Sequence, residues 1–192
     1  MITIGFDIDD VLRDFTGVLD NIIDKYYPNK INKNGPWTWM FDQYLFEMDE
    51  LRKIWEEEYS KAILLEAPLC KNAYEGYKLI YDWAKNRGDN VICISNQSTK
   101  TLPYTLEWLG KNKFIFDKYI FTPNKHLIDM DYLIDDSPKY YDDWICSGKP
   151  KSNFILMNKS YNMQLYHTNR ANDLFEAYTI ILKLIKEEYD EN

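Results

Sequence analysis

Two aspartates, Asp7 and Asp9, come directly after the first apolar run of the chain, residues 2–6. A β-branched run that stops at acids spaced i, i+2 predicts a strand with both carboxylates at its carboxyl end, projecting to the same side. In open α/β sheets, ligands bind at that edge. Because adjacent carboxylates repel each other unless a cation or a shared proton intervenes, this pair favours a hard metal such as Mg²⁺.

Polar residues also stand at the ends of two later apolar runs and in one later loop. A second apolar run ends at Ser95 and Asn96, a loop carries Lys125, and a further run ends at Asp135 and Asp136. In a parallel sheet these strand ends point at the same edge as the first aspartate pair. We therefore expect acids, a hydroxyl and a lysine to meet in one site.

The order of these segments resembles the four motifs of the haloacid dehalogenase superfamily: strand then acid, strand then hydroxyl, lysine, strand then paired acid. The run 7–15, Asp-Ile-Asp-Asp-Val-Leu-Arg-Asp-Phe, and the run 133–138, Leu-Ile-Asp-Asp-Ser-Pro, are similar to the 5′(3′)-deoxyribonucleotidase branch. Lys125, ten residues before Asp135, fits the same branch. Asp10 departs from the pattern, since the family often has glycine there.

This resemblance implies a phosphomonoesterase acting on nucleoside monophosphates, with a role for each motif. Asp7 would attack phosphorus to form an aspartyl-phosphate, and Asp9 would protonate the leaving oxygen and then activate a water. Lys125 would stabilise the negative charge that develops around phosphorus. Ser95 and the backbone N–H of Asn96 would donate to phosphate oxygens.

The same resemblance implies Mg²⁺ as cofactor, held by Asp7, the backbone carbonyl of Asp9 and Asp135. Asp136 is either a direct ligand or a neighbour of one, and the sequence does not choose between the two acids of this pair. For Asp10 the simpler interpretation is a helix N-cap or an acid in the first helical turn.

Each motif also has a purely structural interpretation. The first aspartate pair could cap a helix, Ser95 could be a turn residue, and Lys118 or Lys139 could take the place of Lys125. The presence of all four motifs in order favours the functional interpretation.

Short strands alternating with helices predict an α/β fold, a doubly wound, parallel, five-stranded Rossmann-like sheet. We expect strands at residues 2–6, 91–94, 119–121, 132–135 and 154–157, and helices at about 13–27, 51–59, 72–88, 101–109 and 172–188. Gly88 and Gly110 are the expected ends of two of these helices. Residues 16–70 are interpreted as a helical cap inserted after the first strand, leaving 1–15 and 71–192 as the catalytic core.

The cap segment is rich in aromatic residues. Trp37, Trp39, Phe41 and Phe46 could stack on a nucleobase, because every base has a π-face. For any single one of them, a place in the cap's own small core is the stronger interpretation. Together they predict that at least one lines the substrate pocket.

Composition narrows the function classes further. A net charge of −8 argues against a duplex nucleic acid partner, and no stretch approaches the roughly 18 apolar residues of a membrane span. The three cysteines are unclustered and Cys93 lies inside an expected strand, which indicates free thiols and a cytoplasmic protein. A homodimer is left open.

Three alternative functions remain. A phosphatase of the same superfamily could act on another small phosphate ester or on a polynucleotide 3′-phosphate end. A phospho-receiver domain would need an aspartate where the second strand ends, and Ser95 stands there instead. A non-catalytic nucleotide-binding protein would not need the complete set of motifs.

Overall fold

One parallel sheet organises the chain. The computed structural model describes residues 1–32, 41–166 and 169–190, and six strands pair within these ranges. They are β1 (Thr3–Phe6), β2 (Asn90–Ser95), β3 (Lys118–Phe121), β4 (Tyr132–Asp135), β5 (Phe154–Met157) and β6 (Arg170–Ala171). All five predicted strands are present, and the two-residue β6 extends the sheet beyond β5.

The strand order places the first motif at the middle of the sheet. From one edge to the other it is β3-β2-β1-β4-β5-β6, so β1 lies between β2 and β4. Phe6 is in register with Cys93 on one side and with Ile134 on the other. The connections diverge on either side of β1, and such a switch point is where open α/β sheets bind their ligands.

Helices cover both faces of the sheet. Their bounds are α1 (Phe15–Tyr26), α2 (Met48–Lys53), α3 (Ala73–Arg87), α4 (Leu102–Lys111), α5 (Pro138–Cys146) and α6 (Leu174–Asp190). Two π-helical turns, Ile54–Glu58 and Lys61–Leu65, follow α2, and 3₁₀ turns lie at Lys125–Leu127, Lys151–Asn153 and Ser160–Asn162. None of these helices is long and apolar enough to cross a membrane.

The strands are buried on both sides, as parallel strands between helices require. Val91 and Cys93 belong to the cluster that α3, α4 and α6 cover, with Trp108 as its largest fully buried side chain. Ile92 and Ile94 face the opposite cluster, which α5 covers. These two layers confirm the predicted doubly wound architecture.

The segment between β1 and α3 has a hydrophobic cluster of its own. Leu19 and Ile23 of α1 pack there with Leu51, Ile54 and Ile63. The helices that the amphipathic periodicity predicts in this segment are therefore confirmed. The boundaries of the predicted cap at residues 16 and 70 stay a prediction.

Two helix ends differ from expectation. The first helix begins at Phe15 rather than near residue 13, because the preceding loop turns back on Ile8 and Asp14 is the N-cap, accepting from the Gly17 N–H at 3.2 Å. Gly110 does not end α4. The helix continues to Lys111, and the turn is made by Lys113, whose φ is 60°. Gly88, with φ of 78°, ends α3 as predicted.

Candidate active site

A cavity of about 560 Å³ opens at the carboxyl edge of the sheet, beside β1, β2 and β4. Asp7, Ser95 and Lys125 line its floor, and Phe15, Phe41 and Trp55 line it from the segment between β1 and α3. The acids, the hydroxyl and the lysine of the four motifs therefore meet at one place. Their spacing along the chain spans more than a hundred residues, and the parallel sheet brings them together.

Lys125 lies between two carboxylates at the base of this cavity. Its Nζ is 2.7 Å from Asp135 Oδ2 and 2.9 Å from Asp7 Oδ1, and its side chain is 1% exposed. The ammonium also lies 4.2 Å from the centre of the Tyr140 ring. Burial by itself would lower the pKa of Lys125, but Asp135 and Asp7 more than offset that effect, so its pKa lies above the usual range and the lysine is charged.

Three carboxylates lie close enough together to share a cation. Asp7, Asp135 and Asp136 each offer a buried oxygen, and these atoms lie within 4.8 Å of one another. Burial raises the pKa of Asp135 to about 6, although the ammonium of Lys125 opposes the rise. Burial and the neighbouring Asp135 raise the pKa of Asp136 well above its usual range. Buried, mutually repelling carboxylates fit a hard divalent cation.

Asp136 and Asp10 are joined through one tyrosine. The Tyr161 hydroxyl lies 3.1 Å from Asp10 Oδ2 and also contacts Asp136 Oδ2. Asp10 accepts from the Thr16 N–H at 3.0 Å and from the Thr16 hydroxyl, in the first turn of α1. The expectation that Asp10 is the N-cap or a first-turn acid is wrong, because α1 begins at Phe15 with Asp14 as its N-cap, although Asp10 does reach the Thr16 N–H from the preceding loop. Asp10 has φ of 57°, the left-handed conformation that glycine adopts more easily.

The carboxylate of Asp9 does not join the metal group. Its Oδ1 accepts from Arg13, with Nε at 2.8 Å and Nη2 at 2.7 Å, and its Oδ2 accepts from Gln97 Nε2 at 2.8 Å. Its side chain is 26% exposed and lines the cavity. Of the four residues predicted as metal ligands, three are grouped by their side chains, and the backbone carbonyl of Asp9 stays a prediction.

Ser95 and Asn96 lie where the sequence predicts, at the end of β2 and on the cavity wall. The Ser95 side chain is buried, and its Oγ lies 3.4 Å from Gln97 Nε2. The Asn96 side chain makes a hydrogen bond with Tyr140, the residue whose ring faces Lys125. Their contacts with a phosphate stay a prediction.

The predicted base-stacking residues have mixed outcomes. Phe41 lines the cavity, with its ring 5.5 Å from that of Trp55 and 6.5 Å from that of Phe15. Trp37 and Trp39 fall in 33–40, outside the described residues. Phe46 packs on Tyr27 and is not among the residues that line the cavity. Phe41 also packs against the hydrophobic cluster of the segment between β1 and α3, so its ring contacts both that cluster and the cavity, and stacking on a base stays a prediction.

Comparison with known families identifies the chain. The model of the family described as 5′ nucleotidase, deoxy (pyrimidine), cytosolic type C protein matches residues 1–187. The chain belongs to this family. None of the curated protein sequences compared with this nucleotidase matches it. The resemblance of the four motifs to the 5′(3′)-deoxyribonucleotidase branch is therefore confirmed.

Solved structures that resemble the nucleotidase share its fold. A haloacid dehalogenase-like hydrolase from Streptococcus pneumoniae is similar at 13% identity, with a TM-score of 0.63 over 94% of this chain and 98% of that one. HAD-hydrolase YfnB from Bacillus subtilis, bound to magnesium, has 17% identity and a TM-score of 0.57 over 93% and 97%. CbbY from Rhodobacter sphaeroides, in complex with phosphate, has 12% identity and a TM-score of 0.54 over 92% and 96%.

Family and fold together confirm the predicted enzyme class. The nucleotidase is a phosphatase of the haloacid dehalogenase superfamily, a hydrolase of phosphoric monoesters whose substrate is a small phosphate ester. Its three buried carboxylates, Asp7, Asp135 and Asp136, lie close enough together to hold a metal ion.

Several residues at the site were not predicted. Arg13, Gln97, Tyr140 and Tyr161 contact the motif residues directly. The spacing of Asp9 and Arg13, i and i+4, was a signal for an ion pair, and the others are polar side chains whose neighbours depend on distant parts of the chain. Sequence periodicity cannot reveal such contacts.

Proposed function

We propose that this nucleotidase hydrolyses nucleoside monophosphates, in particular 5′- or 3′-deoxyribonucleotides, through an aspartyl-phosphate on Asp7 and with Mg²⁺ as cofactor. The observation that carries the proposal is the position of the Lys125 ammonium between Asp7 and Asp135 at the base of a cavity with aromatic walls. This arrangement offers a nucleophile, positive charge for a phosphate and apolar surface for a base.

The charges at the cavity base support the assignment of Asp7 as nucleophile. A carboxylate and a phosphate dianion repel each other, so attack requires local positive charge. Lys125 supplies one such charge 2.9 Å from Asp7 Oδ1. Asp7, Asp135 and Asp136 would hold Mg²⁺, which supplies Lewis-acid neutralisation of phosphate charge when bound.

Asp9 is suited to the proton transfers on either side of the intermediate. It protonates the leaving sugar oxygen as the bond from phosphorus to that oxygen breaks, and then accepts a proton from the water that hydrolyses the aspartyl-phosphate. Ser95 and the backbone N–H of Asn96 donate to phosphate oxygens, and both residues line the same cavity.

The size and chemistry of the cavity favour a small substrate. A volume of about 560 Å³ falls in the range of small-molecule sites, and a net charge of −8 disfavours a long polynucleotide. The aromatic wall of Phe15, Phe41 and Trp55 offers faces to a nucleobase.

Phosphate release across a substrate panel tests the proposal. The panel contains 5′- and 3′-nucleoside monophosphates with ribose and deoxyribose, sugar phosphates, and an oligonucleotide with a 3′-phosphate, each with Mg²⁺ and with a chelator. Metal-dependent turnover that is fastest on deoxynucleotides supports the proposal. Turnover restricted to sugar phosphates or to the oligonucleotide would assign the same chemistry to a different substrate.

Phe41 provides a prediction about base recognition. We expect Phe41→Leu to raise KM for a deoxynucleoside 5′-monophosphate about tenfold, because stacking on a base contributes ~1–3 kcal/mol. Turnover of 2-deoxyribose 5-phosphate, which has the same sugar and phosphate without a base, should be unchanged. Phe46→Leu is the matched control, because Phe46 packs on Tyr27 and does not line the cavity. Equal effects of the two variants would exclude stacking on Phe41.

The pKa of Asp135 gives a prediction for metal affinity. A protonated carboxyl cannot serve as an anionic ligand, so Mg²⁺ binding should be strong above the pKa of about 6 and weaken below it. We expect the association constant for Mg²⁺ to fall about tenfold per pH unit below that pKa. Calorimetric titration with Mg²⁺ at pH 5 and pH 7, at one ionic strength, measures the difference. Equal affinity at both pH values would show that protonation of Asp135 does not compete with Mg²⁺ in this range.

A further inference from the structure

We propose that Arg13 is a positioning residue, which fixes the oxygen of Asp9 that delivers the proton and links that oxygen to the cap segment, residues 16–70. The inference rests on the proposed function, in which Asp9 is the general acid. Arg13 is fully buried, with 0% exposure, beside a carboxylate that faces the cavity. Its charge is therefore placed at the site and not on the surface.

The guanidinium of Arg13 is fully occupied by three acceptors. Nε donates to Asp9 Oδ1, with Nη2 2.7 Å from the same oxygen. Nη1 donates to the Leu64 carbonyl at 2.5 Å, and both Nη atoms donate to Thr105 Oγ1 at 3.2 Å. These contacts engage all three nitrogens of the guanidinium. The Trp108 ring lies 5.4 Å from the central carbon. Such a fork has little rotational freedom.

A closed hydrogen-bonded ring connects the two oxygens of Asp9. Arg13 holds Oδ1 and contacts Thr105, whose hydroxyl donates to Gln97 Oε1 at 3.1 Å. Gln97 Nε2 in turn donates to Asp9 Oδ2 at 2.8 Å. The ring joins the loop after β1 to the segment after β2 and to α4. The carboxylate plane is consequently set by residues from three parts of the chain.

This arrangement distinguishes the two oxygens chemically. Oδ1 accepts from Arg13 Nε and lies 2.7 Å from Nη2, so the guanidinium occupies the side of this oxygen where a proton would lie. Oδ2 can carry the proton and still accept from Gln97, because a carboxyl hydroxyl both donates and accepts. As Asp7 bonds to phosphorus and the leaving oxygen departs, the proton moves from Asp9 Oδ2 to that oxygen. Asp9 then remains as a carboxylate paired with Arg13.

The contact with Leu64 extends this control to the cap segment. Leu64 lies in the π-helical turn Lys61–Leu65, which packs against α1 in the cap cluster, and it lines the cavity. The Arg13 backbone also pairs with Leu69, where the chain returns from this segment to the core. A shift of the cap would therefore be transmitted to the guanidinium and to Asp9.

The test compares two leaving groups with Arg13→Met and the unaltered protein, both with Mg²⁺. A deoxynucleoside 5′-monophosphate releases an alkoxide that needs a proton, whereas p-nitrophenyl phosphate releases a stabilised phenolate that does not. We expect kcat/KM for the nucleotide to fall on the order of 10²-fold, the scale of general-acid catalysis. For p-nitrophenyl phosphate, kcat/KM of Arg13→Met should stay within about threefold of the value for the unaltered protein, because this leaving group does not need a proton from Asp9. Steps after transfer to Asp7 do not enter kcat/KM.

Three further variants make the result specific. Asp9→Asn should show the same selective loss, and combining it with Arg13→Met should add little, because the arginine acts through Asp9. Arg13→Lys keeps the charge without the planar fork. Its kcat/KM for the nucleotide should lie between the values of the unaltered protein and Arg13→Met. Thr105→Val removes only the hydroxyl from the hydrogen-bonded ring and should give a smaller selective loss of kcat/KM for the nucleotide. This variant tests the inference if circular dichroism shows that Arg13→Met is unfolded.

The outcomes separate this inference from the proposed function. Equal losses on both substrates in a folded variant, or no loss on either, would overturn the positioning role while leaving the phosphatase mechanism intact. If the unaltered protein hydrolyses neither substrate, the proposed function fails and the inference fails with it.

Discussion

Asp7→Asn is expected to lower the turnover of nucleoside monophosphates by on the order of 10⁴-fold or more, the scale of losing a nucleophile. Asparagine has nearly the same shape, but its amide cannot attack phosphorus. The Lys125 ammonium, 2.9 Å from Asp7 Oδ1, can still contact the amide oxygen, so the fold should be kept. Phosphate release at saturating substrate with Mg²⁺ measures the loss.

A second readout identifies the intermediate. Mass spectrometry of acid-quenched protein should find a phosphoryl group in the peptide that contains Asp7, and none in Asp7→Asn. Asp131→Asn is the matched control, since Asp131 binds the Thr3 N–H at 2.7 Å at the opposite end of β1, and its turnover should be unchanged. Full turnover in correctly folded Asp7→Asn would exclude Asp7 as nucleophile.

Lys125→Met should lower both stability and activity. Asp7 and Asp135 would lose the buried ammonium that they share, and breaking such a buried pair costs about 3–5 kcal/mol. We expect the free energy of unfolding in urea, with a chelator present, to fall by that amount. Turnover with Mg²⁺ should fall by about 10²–10³-fold, because positive charge near the transferring phosphoryl group is lost.

Lys139→Met is the control for this prediction. Lys139 lies on the same Tyr140 ring, with its Nζ 4.7 Å from the ring centre, but its side chain is 49% exposed and pairs with Asp143. Removing an exposed pair changes stability by less than about 1 kcal/mol, and turnover should be unaffected. A larger loss of activity in Lys139→Met than in Lys125→Met would show that the motif lysine has been wrongly assigned.

The sheet could be predicted because its strands carry a strong local signal. The run Val91–Ile94 is apolar on both sides, as a buried parallel strand must be, and the polar residue that follows marks its end. The two residues of β6 carry no such signal, since they are a strand only through their pairing with β5. Gly110 had the residue type of a helix end, but the Asn112 N–H still bonds to the Trp108 carbonyl at 3.0 Å, and α4 continues past the glycine to Lys111.

The candidate site was predictable in its motif residues and less so in their partners. Asp7, Lys125 and Asp135 were grouped from the order and spacing of the motifs, and the structure brings them together. The direction of the Asp9 carboxylate toward Arg13 and Gln97 was not predicted. That direction depends on Thr105 and Leu64, which lie far along the chain from Asp9.

The sequence by itself determined the alternation of strands and helices, the family, and the chemistry-bearing residues at the strand ends. These properties follow from side-chain types and short-range spacing, which act within a few residues of the chain. Tertiary structure decided which carboxylates share the Lys125 ammonium, which aromatic rings face the cavity, and how a buried arginine holds Asp9. Those features depend on burial and on contacts between distant segments. Such contacts exist only once the sheet and the segment between β1 and α3 have packed together.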